Sequence, residues 1–343
     1  MTDKRNDTQA LPPSAQLVQM AMGHWISHIV YAAAKLNLAD HLAKGAMSAD
    51  QLAGMTGTLA PYLYRLMRTL ASLGILTEDE SHRFGLTPLG EALKTGAPGS
   101  ARPSILTIAA PWWMQGFGEL MYSLQTGKSG FEKMMEMPVF DWLAKHPEEA
   151  SLFNETMVGV HGGEPAAVAA AYDFSGLNTI VDVGGGTGNL LTTILASHKG
   201  LRGILYDLPH VVREAGPMIK SRGLEDRVTV EAGSFFENIP KGGDAYMLSH
   251  IIHDWSEDQC LKIFGVCKRV MNPATRLLII EMVLPEGNTP HPGKLLDMMM
   301  LVGPGGQERT EKEYAALLAK AGLRLTRVVP TASPASVVEA QLG

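Results

Sequence analysis

Three glycines at alternate positions, Gly184, Gly186 and Gly188, follow directly on an apolar run at 180–183 that is broken only by Asp182. A glycine-rich turn between a strand and a helix lets a ligand approach the backbone where no Cβ intervenes. Asp207 stands about 20 residues beyond the loop, where a carboxylate can accept both hydroxyls of a ribose. Residues 180–207 therefore read as one βαβ half-site for an adenosine-bearing cofactor. The nicotinamide fingerprint needs G-x-G-x-x-G. Counted from Gly184 or Gly186 its last glycine is missing, since position 189 is Asn and position 191 is Leu. Further on, His250 and His253 stand three apart and could flank an ion on a helical turn. No other His or Cys lies at ligand spacing, which argues against a metal centre.

These residues need a scaffold that brings them together, and the pattern around them supplies one. Apolar runs at 180–183, 203–206, 228–231, 244–249 and 276–282 read as buried strands. Helical spacing between them predicts helices at 189–196, from about 209 to 222 and at 257–270. Helices at 290–302 and 311–321 follow. Strands at 324–329 and 336–340 close the chain as a hairpin that can add antiparallel strands to a parallel sheet. In such sheets ligands bind at the C-terminal ends of the strands. Gly184, Asp207, Ser234, Ser249, His253 and Glu281 all fall at or near those ends. The fold class is thus α/β, a Rossmann-like sheet of seven strands.

The first half of the chain reads differently. Residues 1–13 are expected to be disordered, and a helix is expected over 14–38, packed on its own domain or on a second subunit. Ser48 with Gln51 forms a capping-box pattern. A second helix carries Leu63, Leu66, Met67, Leu70 and Leu73 on one face, and Gly74 ends it. Short strands at 75–77 and 83–86 flank a polar turn, and Thr87-Pro88 opens another helix. Two helices and a two-stranded wing make a winged helix. Phosphate binding by such a module needs a basic face. Between Leu36 and Thr95 there are five basic residues (Lys44, Arg65, Arg68, Arg83, Lys94) against six acidic ones (Asp40, Asp50, Glu78, Asp79, Glu80, Glu91), which fits a structural and oligomerisation module rather than a DNA reader. Residues 105–176 read as further helix.

The net charge of -6 is mild and gives no reason to expect nucleic-acid or anionic-membrane binding. No apolar run approaches the roughly 18 residues of a membrane span. Cys260 and Cys267 lie two helical turns apart, about 10 Å and too far for a disulfide. A reduced, cytoplasmic protein is expected.

Val-Asp-Val-Gly-Gly-Gly-Thr-Gly (181–188), Tyr-Asp-Leu-Pro (206–209), His-Asp-Trp-Ser (253–256) and Gly-Gly-Gln-Glu-Arg-Thr (305–310) occur in that order. Together they resemble the class I S-adenosylmethionine-dependent small-molecule O-methyltransferases of the caffeate/hydroxyindole type, especially bacterial members acting on polyketide, phenazine or carotenoid hydroxyls. The resemblance covers nearly the whole chain. It implies a winged-helix dimerisation domain at 1–100, a helical linker at 101–176 contributing to the acceptor pocket, and a catalytic domain at 177–343. It also implies a homodimer, a small-molecule acceptor and S-adenosylmethionine as cofactor, leaving as S-adenosylhomocysteine. His253 stands in the family's general-base position, with Glu281 and Glu308 as the carboxylates that orient its ring. The cofactor positions carried over are Asp182, Gly184, Gly186, Asp207, Leu208, Ser234, Phe235 and Ser249. The family often has Asp at position 234 and Lys at position 249, and both are Ser here. Acceptor positions carried over are Phe153, Met157, Met299, Met300 and Gly303. Phe153 and Met157 serve equally well as core packing, and Asp254 and Trp255 are expected to support the site structurally. N-methylation of a heterocycle is an alternative within the same chemistry. A metabolite-sensing DNA-binding regulator is the alternative outside it.

Overall fold

The computed structural model describes residues 11–160 and 162–343. The expectation of disorder at 1–13 falls outside the described residues as far as residue 10, and Pro13 already opens a helix. The chain forms two compact units. The first comprises the residues up to Met114 with His146–Val160, the second Gln115–Lys145 with residues 162–343. The helical stretch at 101–176 is thus shared between them.

In the first unit two helices, Pro13–Ala21 and Gly23–Lys35, replace the single one expected. The winged-helix core follows. Strand β1 (Met47–Ser48) leads into the helix Ala49–Thr56, and Ser48 and Gln51 form the reciprocal capping box. The helix Ala60–Ser72 starts with Pro near its N-terminus and buries Leu63, Met67 and Leu70. Burying a side chain of this size contributes roughly 1.5–3 kcal/mol. Gly74, at φ 73°, ends that run in the left-handed conformation that glycine adopts without strain. Strands β2 (Leu76–Glu78) and β3 (Arg83–Leu86) form the wing, and Thr87 caps the helix Pro88–Glu91. The order is β1-β3-β2, so the wing gains a third strand that its two residues were too short to announce. The helices Arg102–Ile108 and Pro147–Val160 are joined by a buried 2.8 Å hydrogen bond between the hydroxyls of Thr107 and Thr156.

The second unit is built on one twisted sheet. Its strands are β4 (Thr179–Val183), β5 (Arg202–Asp207), β6 (Val228–Ala232), β7 (Ala245–Ser249), β8 (Arg276–Leu284), β9 (Arg309–Thr310), β10 (Leu323–Pro330) and β11 (Ala335–Leu342). Seven of them run in the order β10-β11-β8-β7-β4-β5-β6, and β9 pairs off this path with β8. Strands β4 to β8 pair in parallel, and β10 and β11 add antiparallel edges. The inner strands are apolar on both faces because helices cover both. One face packs on Ile263, Phe264, Tyr314 and Leu318. The other packs on Val168, Leu191, Ile194 and Leu195. The chain runs outward from β4 through β5 to β6, then returns to lay β7 on the other side of β4. Strand order reverses between β4 and β7, which is where open α/β sheets bind ligands. In place of one helix after Asp207, two short ones form, Pro209–Val212 and Gly216–Ser221, the second opened by Gly216-Pro217. Among the described residues no helix is long and apolar enough to cross a membrane.

Candidate active site

At the C-terminal end of β4 the loop is tightly constrained. Gly184, Gly186 and Gly188 have φ of 73°, 59° and 83°. A Cβ on Gly184 would lie 2.5 Å from Cδ1 of Ile251 and 3.4 Å from Cε1 of Phe235. A Cβ on Gly185 would lie 2.5 Å from Oδ2 of Asp182. Gly186 has open space around it, so the chain there can be approached from outside. Asp207 ends β5 and turns back toward the loop. Its Oδ2 accepts the Gly186 N–H at 2.8 Å and its Oδ1 accepts the Leu208 N–H at 2.6 Å.

Asp182 lies beneath this loop. It is 1 % exposed, and neither oxygen makes a hydrogen bond of ordinary geometry. Burial, and after it the negative charge of Asp207, pushes its carboxyl up to about 7. It was carried over as a cofactor contact, but it supports the loop from below and does not line its open side. Phe235 reaches the loop, and its ring packs on Phe236 at 5.0 Å. Ser234 is half-buried, and its Oγ accepts the Phe236 N–H at 3.3 Å. Ser249 is the last residue of β7, and Leu208 is well exposed. A loop with accessible backbone, a carboxylate with further lone pairs and an adjacent aromatic ring fit an adenosine-bearing cofactor.

The second cluster starts where β7 ends. His253 lies on the 3-10 turn Ile252–Asp254 and is 8 % exposed. Its Nδ1 is 2.6 Å from Oε1 of Glu308, itself 1 % exposed. Such a contact fixes the tautomer with the proton on Nδ1 and leaves Nε2 as the basic nitrogen. Oδ1 of Asp254 is 3.6 Å from Nε2. Burial alone would lower the His253 pKa, but the charge of Asp254, the Glu308 hydrogen bond and the charge of Glu281 outweigh it and raise it to about 10. Asp254 in turn is raised to about 6, chiefly by burial.

Glu281 does not meet the ring. Its Oε1 accepts the backbone N–H groups of Ile252 at 2.6 Å and His253 at 3.1 Å, and the Tyr314 hydroxyl donates to its Oε2. The expected ring-orienting pair is thus divided. Glu308 holds the imidazole and Glu281 holds the turn. The reason lies in register, since Ser249 pairs with Ile280 and the next residue of β8 falls beneath the turn leaving β7. The turn's N–H groups have no ladder partner there and take the carboxylate. The other side of the turn is held as firmly. The Gln307 N–H donates to the His253 carbonyl at 2.8 Å, and Arg309 donates to the carbonyls of Ile252 and Gln307. Strand β9, pairing Val283 with Arg309, brings Glu308 into reach.

The acceptor positions fall in separate units. Phe153 and Met157 lie on the helix Pro147–Val160 of the first. Met299 and Met300 lie near the end of the helix Gly293–Val302 of the second, and Gly303 caps it. Met300 is buried, and its carbonyl accepts the N–H groups of Gly305 and Gly306. The Gly303 carbonyl accepts the Ser129 hydroxyl at 2.5 Å. Ile251, Tyr314, Gln307 and Arg309 were not expected at the site. His250 sends Nε2 to Oε1 of Glu164 at 2.7 Å. Among the described residues no group of three or more His, Cys, Asp or Glu is placed to hold a metal ion.

Comparison with known proteins places this geometry in a family. Residues 117–324 match the O-methyltransferase domain, and residues 18–96 match the O-methyltransferase dimerisation domain. The chain is 43% identical over 338 residues to phenazine O-methyltransferase PhzM of Lysobacter antibioticus, covering 98% of this chain and 99% of that one. It is 37% identical over 321 residues to the mitomycin biosynthesis 6-O-methyltransferase of Streptomyces lavendulae, covering 92% and 91%. Among solved structures it superimposes with TM-score 0.84 on NcsB1, an O-methyltransferase of neocarzinostatin biosynthesis, at 32% identity over 93% of this chain and 96% of that one. That structure holds S-adenosylmethionine and 2-hydroxy-5-methyl naphthoic acid. With the glycine loop, the Asp207 carboxylate and the buried histidine–carboxylate pair in place, the chain belongs to the S-adenosylmethionine-dependent O-methyltransferases.

Proposed function

We propose that this enzyme methylates a hydroxyl of a small aromatic or polyketide-like acceptor of secondary metabolism, with His253 as the general base. The observation that carries this reading is the 2.6 Å contact between His253 Nδ1 and Glu308 in a buried setting, with the backbone on both sides of the ring hydrogen-bonded. When bound, S-adenosylmethionine supplies a sulfonium methyl whose transfer leaves a neutral thioether. Asp207 is proposed to hold its ribose, the loop at Gly184 and Gly186 its amino-acid end, and Phe235 with Leu208, Ser234 and Ser249 its adenine side. Asp182 acts through the loop it supports. His253 removes the acceptor proton, which matters because a phenol with a pKa near 10 is mostly neutral at pH 7. Glu308 stabilises the imidazolium that forms, and Glu281 keeps the turn in place. Phe153, Met157, Met299, Met300 and Gly303 are proposed acceptor contacts, since polarizable methionines conform to a flat ring.

The comparisons support the acceptor class, since the relatives named above are a phenazine O-methyltransferase, a mitomycin biosynthesis 6-O-methyltransferase and an O-methyltransferase in complex with 2-hydroxy-5-methyl naphthoic acid. We further propose a cytoplasmic homodimer, joined through the winged-helix unit at 1–100, that binds neither nucleic acid nor membrane. The test is a panel of hydroxylated phenazines, naphthoates and benzoates with S-adenosylmethionine. Mass spectrometry and NMR of the product identify the methylated atom. His253→Ala should lower kcat on the true acceptor by roughly 10²–10⁴-fold. Its calorimetric affinity for S-adenosylhomocysteine should persist, and Asp207→Ala should lose it. A His253→Ala enzyme with near-normal kcat would reject the base role. Methylation only at nitrogen would reject the hydroxyl acceptor.

A further inference from the structure

A second buried histidine–carboxylate pair stands beside the first. Glu164 opens the helix Glu164–Ala171 and is 7 % exposed. Its Oε1 is 2.7 Å from Nε2 of His250, and both side chains are largely buried. Burying a carboxylate this far from water is costly unless it is paired. Nothing in the mechanism above uses this pair, so its place in the fold must supply the reason for it.

His250 is the hinge between β7 and the turn that carries the base. Its N–H donates to the Ile280 carbonyl at 3.1 Å and so continues the β7–β8 ladder by one residue. Its φ is 53°, in the left-handed region, where a residue other than glycine is uncommon and must be held by its surroundings. That conformation turns the chain off the strand. One residue later Ile251 packs against Gly184 of the cofactor loop, and His253 follows three residues after His250. The rings of His250 and His253 are 5.3 Å apart at 49°.

The holds on this turn come from both faces of the sheet. Glu281 is braced by Tyr314, which packs on one face. The helix bearing Glu164 packs through Val168 and Ala169 on the other. Glu281, Gln307 and Arg309 hold the turn through its backbone, and Glu164 grips the side chain of its hinge residue.

We infer that Glu164 and His250 are a positioning pair for the base: Glu164 grips the His250 ring, holds the left-handed turn leaving β7, and so sets where His253 presents its Nε2. This rests on the reading of His253 as general base. The pair touches no reacting atom in that reading, so it acts only through His253.

The test uses the full-length enzyme and its identified acceptor, with Glu164→Ala, Glu164→Gln and His250→Asn made alone and in a His253→Ala background. Glu164→Ala should lower kcat roughly ten-fold or more, because small misplacement of a catalytic group is costly in rate. The KM for the acceptor and the affinity for S-adenosylhomocysteine should stay within about three-fold, since Asp207 and the glycine loop are untouched. Glu164→Gln can still accept a hydrogen bond from the ring and should recover most of the rate. His250→Asn keeps a residue that tolerates the left-handed backbone and removes the ring, so it should fold and lose rate as Glu164→Ala does. In the His253→Ala background all these effects on kcat should vanish, as expected for residues that act through one group. Unchanged kcat in His250→Asn, or the same loss with and without His253, would overturn the inference. If Glu164→Ala fails to fold, the Gln and Asn variants decide the matter alone. A large loss in His253→Ala with none in His250→Asn would remove the pair and leave the base standing. Near-normal kcat in His253→Ala would remove both.

Discussion

A general base must be neutral to work, yet the carboxylates around His253 favour its cation. Its pKa is raised to about 10, chiefly by Asp254 and Glu308 against the opposing effect of burial, and this shift favours the imidazolium in the free enzyme. The base becomes available as pH rises, so kcat/KM should climb with pH on the alkaline side of neutrality. Glu308→Gln removes one of the raising charges and should move that limb to lower pH, measured from pH–rate profiles of the two enzymes. The same change should lower the plateau kcat by less than His253→Ala does, and in the double variant the Glu308 effect should largely disappear. A limb that stays in place, or fully additive losses, would mean that Glu308 acts elsewhere. Asp182 presents the opposite problem. Its folded pKa, about 7, exceeds the ordinary 3.8 because it is buried and faces the Asp207 charge. The folded state therefore binds more protons than the unfolded state between those values. Stability falls as pH rises through that window, and the loss is complete above about pH 7, on the order of 4 kcal/mol at most. Asp182→Asn removes the charge, so its melting temperature relative to wild type should be higher at about pH 8 than at about pH 5. Equal differences at the two pH values would show that the carboxylate's burial is compensated in another way.

At the scale of elements, the base is placed by a loop and a short strand as much as by β7. A Cβ on Gly306 would lie 1.8 Å from the His253 carbonyl oxygen, and the next residue donates to that same oxygen. Gly306→Ala must push the 303–308 loop away from the turn. Overpacking of this kind costs roughly 1–3 kcal/mol. The variant should melt lower and lose kcat while keeping its S-adenosylhomocysteine affinity, since calorimetry reads a site built from β4 and β5. Unaltered kcat would show that the turn holds its shape without this loop. That the glycine loop and Asp207 stand at strand ends was legible in the sequence through local rules: a strand's apolar run, a turn that needs glycine, a fixed distance to the next strand end. His253, by contrast, was singled out by the resemblance of its His-Asp-Trp-Ser motif. The winged helix was legible through its caps and its 3.6-residue spacing. Strands β1 and β9 were not, since two residues carry no periodicity. The division of labour between Glu281 and Glu308 was also hidden, because sequence order places a carboxylate near a histidine without saying whether it meets ring or backbone. The Glu164–His250 contact spans 86 residues and exists only because the sheet's topology brings a helix start to the end of β7.

For the whole molecule the open question is what covers the first helices. Pro13–Ala21 has no buried residue in the single chain. Leu17 is 67 % exposed, Met20 73 % and Trp25 54 %. Large apolar side chains grouped in this way mark surfaces that another chain covers. The match to a dimerisation domain begins at residue 18, within this stretch, so the partner we expect is a second copy. Aliphatic and aromatic side chains of this size each contribute on the order of 1.5–3 kcal/mol when fully buried. Light scattering should therefore give about twice the chain mass of 36.9 kDa. Met20→Asp combined with Trp25→Asp places two charges in an apolar interface and should shift the enzyme toward the monomer, with the melting point of the monomer lower and dependent on protein concentration in the wild type only. The same surface also separates this reading from that of a DNA-binding winged helix. A dimer built on apolar contacts should persist as salt is raised, whereas binding to duplex DNA through five basic residues among six acidic ones would have to fall steeply with salt. A monomer at micromolar concentration, or a dimer that the two aspartates leave intact, would place the interface on another face of the chain.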